Sequence, residues 1–117
     1  MSKATIYHNP RCSKSRQTLA LLEEKGVEVE VIPYLENSPS IEKLDALCRM
    51  LDVEPIEITR VKEARFRELG LSETAGLSRK EWLAILHENP VLIERPIVEC
   101  RAKAAVGRPP ENVLDIL

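Results

Sequence analysis

No run in this 117-residue chain approaches the ~20 apolar residues a helix needs to cross a bilayer. The stretch from Met1 to His8 turns polar without an apolar leader core, so a cytoplasmic protein without a membrane partner is expected. Surplus positive charge is also missing. Seventeen Lys and Arg against 19 Asp and Glu leave a formal net charge of −2, which gives no footing for nucleic acid or an anionic lipid surface, and any anion binding must be local. Paired cysteines are absent. Cys12, Cys48 and Cys100 are widely spaced and odd in number, which fits neither a disulfide framework nor a paired-cysteine zinc site, so no metal is expected. There is no repeat, linker or low-complexity tract, and the length with 44% hydrophobic content suits one domain over residues 1–117.

The hydrophobic pattern changes twice along the chain. Ala4 to His8 reads as a strand, Lys14 to Lys25 as a helix with Leu19 and Leu22 on one face, and Gly26 as its stop. Val27 to Ile32 alternates like a half-buried strand. Strand, helix and strand within about thirty residues make a βαβ unit with parallel strands. Between about residues 37 and 90 the pattern is helical. Ser38-Pro39 is expected to open a helix carrying Ile41, Leu44, Cys48 and Leu51, Lys62 to Leu69 forms a shorter one closed by Gly70, and Ser78 to Glu81 has capping-box spacing ahead of Trp82, Ile85 and Leu86. Strand character returns at Ile97–Cys100 and Ala104–Val106, close enough to pair as a hairpin, and the prolines after Gly107-Arg108 start a last helix. The expected fold class is α/β, a thioredoxin/glutaredoxin-like mixed sheet, βαβ then ββα, with a helical insertion between its second and third strands.

Cys12 stands out. It follows the first strand and opens the first helix, with Arg11, Lys14 and Arg16 around it. A free thiol titrates near pH ~8.5 and only the thiolate is a strong nucleophile. A helix N-terminus and nearby cations lower that pKa, and the carboxyl end of a strand in an open α/β sheet is where ligands bind. Cys48, on an apolar helix face, reads as a small buried hydrophobe, and Cys100 fits either side of a strand. Ser15 makes the motif Cys-x-x-Ser, so no local thiol resolves a disulfide on Cys12 and an external one is implied.

The run Tyr7-His8-Asn9-Pro10-Arg11-Cys12-Ser13-Lys14-Ser15-Arg16, Arg60 before Lys62-Glu63, Arg95-Pro96-Ile97-Val98 and Gly107-Arg108-Pro109 together resemble the glutaredoxin-coupled arsenate reductase family over nearly the whole chain. The resemblance is greatest to a bacterial subgroup with the same Arg11–Arg16 signature, named arsenate reductase by homology. It implies a cytosolic oxidoreductase of arsenic detoxification that reduces arsenate to arsenite, with arsenate or a similar oxyanion as the bound partner. No cofactor is bound, glutathione is the co-substrate and glutaredoxin the protein partner. Carried over, Cys12 is the nucleophile, His8 helps hold it as thiolate, and Arg60, Arg95 and Arg108 bind the oxyanion. Ser15, Arg16 and Pro96 support the site, with Pro96 opening the third strand where a cis X-Pro bond is feasible. Arginine forks donate paired hydrogen bonds to tetrahedral oxygens, which suits that role. Arg16 has a local alternative in pairing with Glu23 or Glu24. Two other functions fit the same fold: a glutathione-linked thiol oxidoreductase with a different oxidised substrate, and an Spx-type redox regulator that binds RNA polymerase, against which Ser15 in place of a second cysteine argues.

Overall fold

The computed structural model describes residues 3–117 and divides the chain into two compact units, one made of residues up to Asn37 together with Arg95–Leu117, the other of Ser38–Glu94.

In the first unit, β1 (Lys3–His8) leads through α1 (Ser13–Glu24) to β2 (Glu28–Pro33), and β3 (Ile97–Cys100) and β4 (Lys103–Val106) are followed by a 3-10 helix, Pro110–Ile116. The sheet order is β2-β1-β3-β4. β2 runs parallel to β1, from Lys3 opposite Glu28 to His8 opposite Pro33, whereas β3 pairs antiparallel with both β1 and β4. The α/β class, the mixed sheet and the parallel βαβ start are as expected. The closing helix is 3-10 rather than α. Its apolar residues are nevertheless used: Val113 and Ile116 are buried, whereas Leu114 is exposed.

Register explains the core. Ala4 lies opposite Cys100 and Ile6 opposite Val98, so alternate residues of two strands share one face, and Leu22, Val113 and Ile116 close over it. Burying Leu22 and Ile6 completely contributes roughly 1.5–3 kcal/mol each. Cys100 belongs to this core. The inward line of α1 is Ser15, Thr18 and Leu22, at i, i+3 and i+7; Leu19 is only partly buried against the core. The buried face of the helix therefore changes from hydroxyls to hydrocarbon along its length, a change the leucine pattern did not reveal. The β3–β4 turn places Arg101 and Ala102 at φ 54° and 63°, the left-handed pair that a two-residue hairpin requires and that side chains with a Cβ resist.

The second unit is helical, with α2 (Ile41–Leu51), α3 (Ala64–Glu68) and α4 (Arg79–Glu88) and short 3-10 turns at Pro55–Ile58 and Pro90–Leu92. Helix α2 starts later than expected. Ser40 is its cap, accepting from the Lys43 N–H at 3.0 Å, because the Ser38 hydroxyl is committed to the His87 carbonyl at 2.6 Å. The capping box of α4 forms as its spacing predicts: Glu81 N–H donates to Ser78 Oγ and Ser78 N–H to Glu81 Oε1. Leu44, Leu47 and Cys48 of α2 and Trp82, Leu83 and Leu86 of α4 are buried, and Phe66 stacks on Trp82 with ring centroids 6.3 Å apart. Thr59 bridges to Ile93. Among the described residues, no helix is long and apolar enough to cross a membrane.

Candidate functional site

The loop from β1 to α1 is organised by Asn9. Its side-chain oxygen accepts from Arg11 N–H, its carbonyl accepts from Cys12 N–H, and its own N–H donates to Ser15 Oγ, all at 3.0 Å. These bonds hold Cys12 as the cap residue of α1, in extended backbone, with its carbonyl accepting the first helical bond from Arg16 N–H. Arg16 does not pair with Glu23 or Glu24. Its guanidinium donates to the Pro10 carbonyl at 2.8 Å and ties the loop to the helix.

The thiol of Cys12 is partly exposed and free. Burial pushes its pKa up, but the N–H groups of Ser15 and Lys14, the charge of Arg95 and a hydrogen bond from Arg108 together outweigh burial, so the net shift is downward. Arg108 Nη1 is 3.8 Å from the sulfur and 3.1 Å from the Arg95 carbonyl oxygen. The first turn of α1 has no acidic residue, so nothing there cancels the helix N-terminus. The leading cations on the sulfur thus come from the β3 entry and the turn after β4, not from the sequence neighbours Arg11, Lys14 and Arg16 that the local pattern suggested. Cys48 contrasts with it: burial first of all drives its thiol up to about 11, which leaves it un-ionised and inert at neutral pH.

His8, expected on the resemblance to help hold the thiolate, lies at the end of β1, where burial, and after it the positive charge of Arg16, lower its pKa. The ring is neutral at pH 7. Its Nδ1 meets Ser15 Oγ at 2.6 Å, and the same hydroxyl oxygen accepts from Asn9 N–H at 3.0 Å. His8 therefore anchors Ser15, which is fully buried, and through it the cysteine loop; no cationic help to Cys12 comes from it.

The remaining expected residues divide between the units. Pro96 is buried, and the Arg95-Pro96 and Arg108-Pro109 bonds are both cis. Arg95, Pro96 and Arg108 fall in the unit that holds Cys12, and Arg60 in the other. There the Arg60 guanidinium pairs with Glu63 at 2.9 Å and donates to the Val91 carbonyl at 3.1 Å. The pattern reading missed Asn9, Thr18 and Asn112. Asn9-Pro10 is a turn signature that identifies the first, but Asn112, whose amide donates to the carbonyls of Val106 and Arg108, is legible only once the turn is built. Among the described residues, no group of His, Cys, Asp and Glu could hold a metal ion.

The chain is similar to known proteins over nearly its whole length. Residues 7–116 match the ArsC family. An uncharacterized protein of Escherichia coli (strain K12) is 48% identical over 96% of this chain and 94% of its own length. An arsenate reductase of Neisseria meningitidis is 42% identical over the full length of both. Among solved structures, an arsenate reductase from Vibrio cholerae superposes with a TM-score of 0.94 at 50% identity, covering 99% of this chain and 98% of the other. With nearly its whole length matched by the family and by relatives above 40% identity, the chain belongs to the ArsC family.

Proposed function

We propose that this protein reduces arsenate to arsenite, with Cys12 as nucleophile, glutathione as electron donor and glutaredoxin as the protein that restores the thiol. The observation carrying this reading is the environment of Cys12, where two backbone N–H groups and two arginine cations favour the thiolate against burial. Family membership and the names borne by the relatives supply the substrate.

The chemistry balances as follows. Arsenate carries one to two negative charges at neutral pH, so an anionic sulfur must be brought against an anionic substrate. Arginines offset that repulsion and stabilise charge on the departing oxygen. The Cys12 thiolate attacks arsenic(V) and forms an S–As bond while one oxygen leaves as water after protonation. Glutathione thiolate then attacks the Cys12 sulfur. The S–As pair of electrons stays with arsenic, which departs as arsenite, and the two sulfurs are oxidised to a mixed disulfide. Glutaredoxin takes the glutathione by thiol-disulfide exchange. The absence of a sulfur at position 15, whose buried hydroxyl is bonded to His8, accords with an external resolving thiol. Arg95 and Arg108 are assigned to the oxyanion. Arg60 joins them on the resemblance.

Arsenite formation with arsenate, glutathione and glutaredoxin tests the reading. A rate that rises with arsenate and depends on both thiol components is expected, and a rate flat in arsenate overturns it. Arg60→Ala is expected to raise KM for arsenate, and an unchanged KM removes Arg60 from the binding set.

A further inference from the structure

The turn between β4 and the C-terminal 3-10 helix passes so close to α1 that position 107 has no room for a side chain. A Cβ built on Gly107 would meet Thr18 Oγ1 at 2.5 Å, Pro96 Cγ at 2.8 Å and Thr18 Cγ2 at 3.1 Å. The reason for glycine here is space, because Gly107 is not among the glycines with positive φ. Thr18 is itself fully buried. Its hydroxyl donates to the Lys14 carbonyl at 2.7 Å and lies 3.5 Å from the Gly107 carbonyl oxygen, which leaves its rotamer little freedom to yield.

The next residue is Arg108. Gly107 N–H donates to the Pro96 carbonyl at 2.9 Å and Arg108 N–H to the Val106 carbonyl at 2.9 Å, while the Asn112 amide donates to the Val106 and Arg108 carbonyls at 3.3 and 3.2 Å. Arg108 itself is exposed. Its guanidinium spans from the backbone at 108 to the sulfur at 3.8 Å and the Arg95 carbonyl at 3.1 Å, so its reach depends on where that backbone stands. We propose that Gly107 and Thr18 are positioning residues of the thiol site: the missing side chain at 107 lets the turn close on Thr18, and that closure brings the Arg108 guanidinium to Cys12. The Asn112 amide holds the same turn from its other side.

This inference rests on Cys12 being the nucleophile of the proposed reaction, but its test needs no arsenate. The readout is the pH profile of Cys12 alkylation by iodoacetamide, a neutral reagent that arginine does not attract, in a Cys48→Ala/Cys100→Ala background so that a single sulfur reports. The rate below the profile's midpoint follows the thiolate fraction. Gly107→Ala is expected to slow alkylation at neutral pH roughly threefold or more, matching Arg108→Ala, with the limiting rate at high pH unchanged. In an Arg108→Ala background the Gly107→Ala change should have no further effect on the profile, since its influence runs through that arginine. Thr18→Ala, which removes two of the three obstructing atoms, should restore much of the rate to Gly107→Ala.

A folded Gly107→Ala protein with the parent profile overturns the proposal, as does an equal slowing when Arg108 is already absent. If Gly107→Ala does not fold, Thr18→Ile presses on the same contact from the helix side by replacing the hydroxyl with an ethyl group, and an unmoved profile in that folded variant overturns the proposal equally. A shifted profile in a protein whose turnover is flat in arsenate would uphold the positioning role while removing the arsenate reading.

Discussion

Arg108 and Cys12 are 96 positions apart in sequence, yet the guanidinium of the first donates toward the sulfur of the second at 3.8 Å. The same Nη1 donates to the Arg95 carbonyl at 3.1 Å, so the arginine is held at both the sulfur and the entry to β3. A cation in that place acts twice in the proposed reaction. It favours the thiolate before attack and neutralises the oxyanion during it.

Replacing Arg108 by Ala is therefore expected to lower kcat/KM for arsenate by roughly 100-fold, the order found when one donor to a developing oxyanion is removed. The thiol titration should move upward at the same time. Arg108→Lys keeps the charge without the fork and should recover only part. Steady-state kinetics paired with the alkylation profile would show both effects, and a change in one without the other would separate the two roles.

Cys12→Ser should abolish turnover in a protein that melts like its parent, because the side chain is only partly buried and serine is well suited to the cap position of a helix. Cys48→Ala and Cys100→Ala should keep turnover within about twofold. Both are buried, and losing the sulfur volume should cost on the order of 1 kcal/mol each. Urea unfolding and a turnover assay on the same samples would test this, and loss of activity in a folded double variant would point to an internal resolving thiol.

Ser15→Ala takes away the acceptor for Asn9 N–H and the hydrogen-bond partner of His8 Nδ1 in one change. A loss of about 1–3 kcal/mol is expected, the cost of stranding such groups, with α1 still formed. A denaturation midpoint equal to that of the parent would show that the relay contributes nothing.

His8 gives a pH dependence of definite sign. Its pKa is lowered in the folded chain, first by burial and then by Arg16, whereas the unfolded chain protonates near pH ~6.5. As pH falls through that value the unfolded state binds a proton that the native state refuses, so stability drops below about pH 6.5 and is unaffected by this group above it. Unfolding free energies at pH 7.5 and 5.5 should show the loss, and His8→Gln should reduce it. An identical pH slope in the variant would mean that other groups cause it.

Ala102 occupies the left-handed region at φ 63°. Glycine there should relieve about 1–2 kcal/mol of strain against about 0.4–1 kcal/mol of added chain entropy in the unfolded state. Ala102→Gly is accordingly expected to stabilise the protein by about 0.5–1 kcal/mol, and a lowered melting temperature would refute the strain.

Local chemistry was legible where it is self-contained. The Ser78–Glu81 box, the stop at Gly26 and the parallel β1–β2 pair follow from short-range pattern, and each formed. Reading failed where a distant group competes for the same atoms. Ser38 and Ser40 are equally good caps in isolation, and only the His87 carbonyl, a whole helix away, takes the Ser38 hydroxyl out of contention. Likewise the Arg16 guanidinium is taken by the Pro10 carbonyl at 2.8 Å, whereas Glu23 and Glu24 stand about two helical turns further on.

From the sequence alone came the candidate for the nucleophilic sulfur, because a cysteine between a strand and a helix, with no thiol at position 15, carries its own chemical signal. Folding decided which charges reach that sulfur and what His8 does. The cations that lower the thiol pKa arrive from β3 and the turn after β4, and the imidazole is kept neutral by burial and by Arg16. Coulomb and desolvation effects depend on distances through space, and distance along the chain does not determine those until the backbone has closed.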